Sequence, residues 1–138
     1  MKFIHVAGTK GKGSTCAYVE SILRSHGLRT GLFTSPHLVN VRERIRIDGQ
    51  PVDEAVFLDN FWRCWDRLDA TRDQCDAADG MPEMPAFFRF LTLLGFATFH
   101  EMKVDVVVLE VGLGGRLDAT NIIQPPACVA TGITTLDL

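Results

Sequence analysis

Short apolar runs along the chain predict buried β-strands. Segments 3–7 and 30–34 carry Phe with Ile, Leu or Val, and 128–131 is consistent with the beginning of another strand. The segment 104–111 is dominated by valine, with acidic residues only near its two ends, which is typical of a central parallel strand covered on both faces. Because such strands alternate with helical segments, the chain is predicted to have an α/β fold with a parallel sheet.

Apolar residues spaced three or four positions apart predict three helices, over 14–26, 53–68 and 86–102. Asp53 is expected to N-cap the second helix, because its carboxylate can accept from the free N–H groups of the first turn. Gly27 is expected to follow the first helix as its C-cap residue. The aromatic residues of the second helix recur at helical spacing, so core packing explains them better than ligand stacking.

Two segments between these elements have other patterns. Residues 41–47 alternate apolar residues with arginines, which predicts a half-exposed strand that turns at Asp48-Gly49. Residues 70–85 are polar, acidic and rich in turn formers, and they are predicted to form a long loop.

The composition indicates one folded domain. The chain has 138 residues, of which 46% are apolar and 22% charged, and this balance argues against disorder. No apolar run reaches the roughly 18 residues that a membrane span needs. Glycines and lysines follow the first seven residues, where a signal peptide would continue its apolar core. The four cysteines form no C-x-x-C pair, and a reduced, cytoplasmic compartment is expected.

The net charge of −3 conceals a basic first third. Residues 1–46 hold eight Lys or Arg and two acids, whereas 47–138 hold six basic residues and fifteen acids. A basic block can meet nucleic acid, membrane phosphates or a small phosphorylated ligand, or it can be a solvated face. Nucleic acid is the weaker option, since only Arg42, Arg44 and Arg46 cluster.

A glycine-rich loop joins the first predicted strand to the first predicted helix. It consists of Gly8, Thr9, Lys10, Gly11, Lys12, Gly13, Ser14 and Thr15. At such a junction several backbone N–H groups and a helix N-terminus can point at one anion. Lys12 is expected to bridge phosphate oxygens. The loop departs twice from the usual G-x-x-x-x-G-K-[ST] spelling, because Val6 replaces the first glycine and Gly13 follows the lysine. The alternative is a flexible turn.

Two more side chains are expected at the same edge of the sheet. Glu110 lies near the end of the valine-rich strand, at the carboxyl edge where ligands bind in open α/β folds. It could hold Mg²⁺ near the phosphates, or it could instead pair with Arg116 or Lys12. Ser35 ends the second predicted strand, and its hydroxyl is either a magnesium ligand or a turn or cap group.

Three phenylalanines follow Pro85 within four residues. Phe87, Phe88 and Phe90 cannot all face one core from a helix. One of these rings is therefore a candidate for stacking on a flat heterocycle.

Together these motifs resemble the folylpolyglutamate synthases, members of the Mur ligase superfamily. The phosphate loop of this family has the same sequence pattern as residues 8–15, and further blocks agree in order and spacing. These blocks are 35–38 with 42–45, 84–92, and 110–121. The resemblance covers nearly the whole chain, and Lys10 and Arg89 favour the eukaryotic branch.

The resemblance implies an ATP-dependent ligase that requires Mg²⁺. In this chemistry ATP phosphorylates the terminal γ-carboxylate of a folate, and the amino group of L-glutamate then displaces phosphate. The implied catalytic residues are Lys12 and Glu110, and the implied metal ligands are Ser35 and Glu110. The loop 8–15 and Asn121 would bind the nucleotide. The folate would lie near Phe87, Phe88 and Arg89.

The resemblance also implies an organisation. Residues 1–138 would be part of the ATP-binding central domain of the Mur ligase fold, a P-loop-type three-layer arrangement of a parallel sheet with flanking helices. The glutamate-ligase domain would be absent, so we expect the isolated chain to be inactive. The complete enzyme is expected to be a monomer in the cytoplasm, with a mitochondrial form as a further option. Its partners would be ATP, a reduced folate and L-glutamate, with neither nucleic acid nor membrane.

Two alternatives stay open. Dihydrofolate synthase joins glutamate to dihydropteroate by the same chemistry, although Lys10 and the Phe-Phe-Arg-Phe block 87–90 favour the polyglutamate enzyme. The other alternative is a truncated nucleotide-binding module without ligase activity.

Overall fold

A computed structural model describes residues 1–74 and 83–137, so the middle of the predicted loop 70–85, with Cys75, lies outside it. The strands are β1 (Lys2–Ala7), β2 (Thr30–Phe33), β3 (Ile45–Ile47), β4 (Gln50–Pro51), β5 (Val106–Glu110) and β6 (Cys128–Ile133). The helices are α1 (Lys12–Ser25), α2 (Glu54–Asp69) and α3 (Phe87–Glu101), with short 3₁₀ turns at Val41–Arg44 and Arg72–Gln74. None of these helices is long and apolar enough to cross a bilayer.

The strands form one sheet in the order β4-β3-β2-β5-β1-β6. The strands β2, β5, β1 and β6 are parallel neighbours, as predicted. The hairpin β3–β4 adds two antiparallel strands at one edge of this mostly parallel sheet. The reason is the predicted turn at Asp48-Gly49, where both residues have positive φ angles of 49° and 80°. A two-residue turn returns the chain beside itself, whereas a parallel pairing needs a long crossover.

The segment 41–47 is the main error of the sequence pattern. Val41–Arg44 forms a 3₁₀ turn, and the strand begins only at Ile45. The Asn40 side chain accepts from the Arg42 N–H, and the Glu43 carboxylate accepts from the Asn40 N–H. These local bonds satisfy the backbone in a turn and compete with the strand that the alternation favours.

Helices cover both faces of the sheet, which gives three layers. On one face α2 and α3 pack against a core that includes Phe33, Phe99 and Leu109. On the other face α1 contributes Cys16 to a smaller cluster with Val108. Between these clusters every residue of β5 is buried, as predicted for the central strand. The last residue of this buried strand is Glu110.

The helix boundaries follow the sequence signals closely. The Asp53 carboxylate caps α2 by accepting from the Ala55 N–H at 2.9 Å. Gly27 follows α1 with φ +82° and donates its N–H to the Arg24 carbonyl. The first helix differs from the prediction only in beginning at Lys12, two residues earlier and inside the glycine-rich loop.

Gly31 in β2 gives a test of this packing. A Cβ atom at Gly31 would lie 2.6 Å from Cδ1 of the fully buried Phe99. We expect Gly31→Ala to lower the free energy of unfolding by about 1–3 kcal/mol, because the ring must shift inside a packed core. Urea denaturation of the complete protein measures the effect. As a control, Gly115→Ala meets no atom within 4 Å and should change stability by less than about 0.5 kcal/mol. Equal stabilities of the two variants would contradict this packing.

Candidate functional site

The carboxyl ends of β1, β2 and β5 meet at one edge of the sheet. The Glu110 Oε2 atom accepts a hydrogen bond of 2.8 Å from the backbone N–H of Ser35. A Cβ atom on Gly13 would lie 3.4 Å from Glu110 Oε1, so the start of α1 is close to the same carboxylate. The fold therefore brings the glycine-rich loop, Ser35 and Glu110 together. This juxtaposition is the one expected from their positions after parallel strands.

The glycine-rich loop leaves the first turn of α1 open. Gly11 precedes the helix with φ +81° and ψ 0°, a left-handed conformation, and no side chain caps the turn. The first N–H groups of a helix have no acceptor within the helix. Together with the helix dipole they form a binding site for anionic oxygens. An anion at this point would lie beside Glu110.

Lys12 lies over the glycine-rich loop. Its Nζ donates to the carbonyl oxygens of Gly8 at 2.9 Å and Thr9 at 3.3 Å. The proposed alternative partner, Glu110, instead bonds to the Ser35 backbone, and neither Lys12 nor Arg116 forms an ion pair with it within 4 Å. The Lys12 charge therefore stays at the loop, and no carboxylate of residues 1–74 and 83–137 forms an ion pair with it.

Lys10 has a different environment, and the sequence analysis gave no sign of it. The Lys10 Nζ lies 2.6 Å from Asp137 Oδ2, and the Thr9 N–H donates to the Thr135 carbonyl at 2.8 Å. Gly8 has φ +137°, and a Cβ atom there would overlap the side chain of Thr134. The segment after β6 thus pairs with the glycine-rich loop. This pairing directs Lys10 to Asp137, whereas Lys12 has no acidic partner in the part of the chain that the structure describes.

Burial of the Glu110 carboxyl raises its pKa above the ordinary value, while the Ser35 N–H and the nearby Lys12 charge oppose the rise. The residue is 5% exposed. A carboxylate and the Ser35 hydroxyl are both oxygen donors, and no group of three His, Cys, Asp or Glu in the described part of the chain could hold a metal alone. This donor set fits Mg²⁺, which takes few protein ligands and completes its shell with water and phosphate oxygens.

The loop after β5 is organised by Asp118. Its Oδ2 accepts from the N–H groups of Gly112 and Leu113, both at 3.0 Å, and its Oδ1 accepts from the Thr120 N–H and hydroxyl. Burial alone would raise the pKa of Asp118, but these hydrogen bonds outweigh it and hold the pKa below its ordinary value. His5 Nε2 lies 2.7 Å from the Thr120 hydroxyl oxygen, which ties β1 to the same loop.

Asn121 lies at the end of this loop. Its side-chain Nδ2 donates to the Arg116 carbonyl at 3.0 Å. In this structure the amide therefore closes the loop on itself, and a contact from Asn121 to the nucleotide stays a prediction.

The residues expected near a folate point in different directions. The Phe88 ring packs against the loop after β5, where a Cβ on Gly112 would lie 2.7 Å from Phe88 Cζ. Phe87 is exposed, and its ring centroid lies 5.7 Å from the Arg44 guanidinium carbon. Arg89 lines a separate cleft with Leu117. Of the three, Phe88 alone lines a cleft together with Ser35.

Two arginines that the sequence analysis treated only as a cluster also reach this edge. Arg46 lines a cleft of about 360 Å³ with Ser14, Ser35 and Glu110. Arg44 lines the neighbouring cleft beside Ser35. The sequence signal for both arginines was weak, because alternation in a strand places every second residue on the solvent side. For Arg44 that expectation fails, because Val41–Arg44 forms a 3₁₀ turn.

Comparison with known proteins gives a consistent result. No protein-family model matches the chain. The mitochondrial folylpolyglutamate synthase of Bos taurus is 55% identical over 138 residues, which is all of this chain and 23% of that protein. The chain therefore spans about a quarter of the length of this curated relative.

Solved structures agree over the whole fold. The Mycobacterium tuberculosis folylpolyglutamate synthase complexed with ADP and AMPPCP is 37% identical with a TM-score of 0.87, and the match covers 99% of this chain and 29% of that one. A bifunctional folylpolyglutamate synthase/dihydrofolate synthase with Mn, AMPPNP and L-glutamate bound is 43% identical with a TM-score of 0.79, and the match covers 99% of this chain and 30% of that one. The resemblance inferred from the motifs is confirmed across the chain.

The buried carboxyl of Glu110 leads to a prediction about stability. Because its pKa is raised in the folded state, ionisation at neutral pH favours the unfolded chain. We expect Glu110→Gln to raise the melting temperature of the metal-free protein by a few degrees at pH 7.5, since the amide oxygen can still accept from Ser35. The gain should shrink as the pH falls through the raised pKa and vanish below the ordinary carboxyl pKa, where both side chains are neutral.

Thermal denaturation between pH 4 and pH 8 measures this difference. The exposed Glu101, which pairs with Arg63 at 2.8 Å, provides the control. Glu101→Gln should give no gain at any pH. A Glu110→Gln variant that is less stable than the parent at pH 7.5 would contradict the assigned cost of the buried charge.

Proposed function

We propose that the complete protein is an ATP-dependent ligase, because the whole of this chain is similar to part of the folylpolyglutamate synthases. It would add L-glutamate to the γ-carboxylate of a reduced folate. The observation that carries this proposal is the meeting of the open first turn of α1, with Lys12, and the Ser35–Glu110 pair at one edge of the sheet. The relatives and this geometry support the same chemistry from independent directions.

The proposed phosphoryl transfer depends on positioning and on neutralising charge. The N–H groups of the loop 8–15 and the Lys12 ammonium bind the phosphate oxygens of ATP. Ser35 and Glu110 would hold Mg²⁺, which when bound would neutralise part of the phosphate charge. Lys12 and Glu110 are therefore the proposed catalytic residues, and Asn121 is proposed to contact the nucleotide after ATP enters.

The bond changes follow from the proposed substrates. A γ-carboxylate oxygen of the folate attacks the terminal phosphorus of ATP, and the bond from that phosphorus to ADP breaks. The amino nitrogen of L-glutamate then attacks the acyl carbon, the bond to phosphate breaks, and the nitrogen releases a proton. The product is the new amide, together with ADP and phosphate.

We assign the folate to the cleft beside Phe88. This ring reaches the same cleft as Ser35. Phe87 and Arg89 line two other clefts and would contact more distant parts of the substrate. An aromatic face next to the reacting edge suits a flat heterocyclic substrate.

Residues 1–138 are assigned to the ATP-binding part of the proposed enzyme. The Bos taurus relative is named mitochondrial, and we propose that the complete protein acts in the cytoplasm and in mitochondria. It is proposed to act as a monomer on small molecules, with neither nucleic acid nor membrane as a partner.

The phosphate-binding role of Lys12 is testable in the complete protein. We expect Lys12→Ala to lower the rate of radiolabelled glutamate incorporation into tetrahydrofolate by about 100-fold or more, because a positioned charge at the transferring phosphate is lost. Lys2→Ala is the matched control, since Lys2 lies at the opposite end of β1 and its Nζ contacts only the Pro126 carbonyl at 3.4 Å. Full turnover by Lys12→Ala would refute the assignment of the loop.

Dihydrofolate synthase is the second candidate activity, because the bifunctional relative is named for both activities. Incubating the complete protein with ATP, glutamate and either tetrahydrofolate or dihydropteroate separates the candidates. We expect tetrahydrofolate to be the better acceptor in kcat/KM by about tenfold, a difference that corresponds to about 1.4 kcal/mol. A higher kcat/KM for dihydropteroate would instead assign the protein dihydrofolate synthase activity.

A further inference from the structure

Arg44 is a buried arginine whose charge no acidic side chain neutralises among residues 1–74 and 83–137. The residue is only 9% exposed. Its Nε donates to His37 Nδ1 at 2.8 Å, while its two terminal nitrogens find no acceptor in the described residues. No carboxylate there lies within ion-pair distance of it. Arginine is seldom buried without a partner, because desolvating its charge is costly. The arrangement therefore calls for an anion from outside the described residues.

Arg44 lines a cleft of about 420 Å³. The cleft is lined by Ser35, Pro36, Arg44, Phe88, Gly112, Leu113 and Asp118. Asp118 is the one acid in this lining, and both of its oxygens already accept from the loop after β5. It is therefore a poor competitor for the guanidinium.

Two neighbouring side chains hold the guanidinium in place. His37 accepts from Nε on one side, and the Phe87 ring lies under the group with its centroid 5.7 Å from the guanidinium carbon. Neither neighbour cancels the positive charge. The two terminal nitrogens are thus presented as a planar fork, which matches the two oxygens of a carboxylate.

The Arg44 guanidinium and the proposed phosphate site lie in different clefts. Ser35 and Pro36 line both the Arg44 cleft and the cleft that contains Ser14 and Glu110. Arg44 lies on the side of Ser35 that carries Phe88, away from the open turn of α1. A ligand held here has an aromatic ring beside it and the metal-binding pair next to its charged end.

We propose that Arg44 binds a carboxylate of the terminal glutamate of the folate acceptor and holds that end of the substrate beside Ser35. This inference rests on the proposed function. His37 and Phe87 act as positioning residues for the guanidinium. Arg44 determines specificity because an acceptor without the carboxylate leaves the buried charge unpaired.

The test pairs a substrate change with a protein change. The complete protein is titrated with tetrahydrofolate and with its analogue in which both glutamate carboxyls are carboxamides, and the dissociation constants are measured by calorimetry. The parent protein should bind the carboxylate form about 10- to 100-fold more tightly. Arg44→Gln should abolish this preference, with little change in affinity for the carboxamide or for ATP.

Two further variants make the result specific. Arg29→Gln removes one positive charge from an exposed residue just before β2, at the opposite end of that strand from Ser35, and should keep the full preference. Arg44→Lys keeps the charge without the fork and should retain part of the preference. If Arg44→Gln also weakens ATP binding, the Arg44→Lys result decides the question, because this variant should still discriminate between the two acceptors.

The outcomes separate the inference from the proposed function. A preference for the carboxylate that survives in Arg44→Gln would overturn the role of Arg44 and leave the proposed ligase intact. A parent protein that binds neither acceptor would contradict the proposed function itself. Loss of the preference in Arg44→Gln, with ATP affinity retained and with Arg29→Gln unchanged, would support the inference.

Discussion

The Glu110 carboxylate lies at the end of a strand whose five residues are all buried. A charge in this position is costly unless it is bonded and faces a cation. The Ser35 N–H supplies one hydrogen bond, and the start of α1 and Lys12 supply positive potential nearby. The same contacts fix the ends of β2 and β5 relative to the glycine-rich loop. The contacts that pack the end of the central strand also set the geometry of the site. We infer that stability is lost to keep the proposed metal-binding oxygen in place.

The basic residues in the first third of the chain fall into two groups. Lys10, Arg24 and Arg42 pair with Asp137, Glu20 and Glu54, and these contacts are structural. In contrast, Lys12, Arg44 and Arg46 have no acidic partner among the described residues, and each lines a cleft at the carboxyl edge. The net charge of the segment is therefore less informative than its unpaired members. Arg44 and Arg46 line clefts that include Ser35, and Lys12 lines the cleft beside the glycine-rich loop.

Much of the fold could be predicted from local patterns. The valine-rich run identified β5. Apolar residues spaced three or four positions apart, together with the Asp53 cap, identified α2, because both signals come from neighbouring residues. The parallel order then implied that Ser35 and Glu110 share an edge. What could not be predicted depends on specific hydrogen bonds or on distant segments. The capping by Asn40 and Glu43 converts a predicted strand into a turn, and the Lys10–Asp137 pair joins residues 127 positions apart. The position of Arg44 could not be predicted because this residue lies in that turn.

The most direct test of the account is a crystal structure of the complete protein with Mg²⁺ and a non-hydrolysable ATP analogue. The account predicts a metal ion about 2.1 Å from an oxygen of Ser35 and from one of Glu110. The terminal phosphates should lie on the first turn of α1 and within reach of Lys12. A nucleotide bound elsewhere, or a metal ion that touches neither Ser35 nor Glu110, would contradict it.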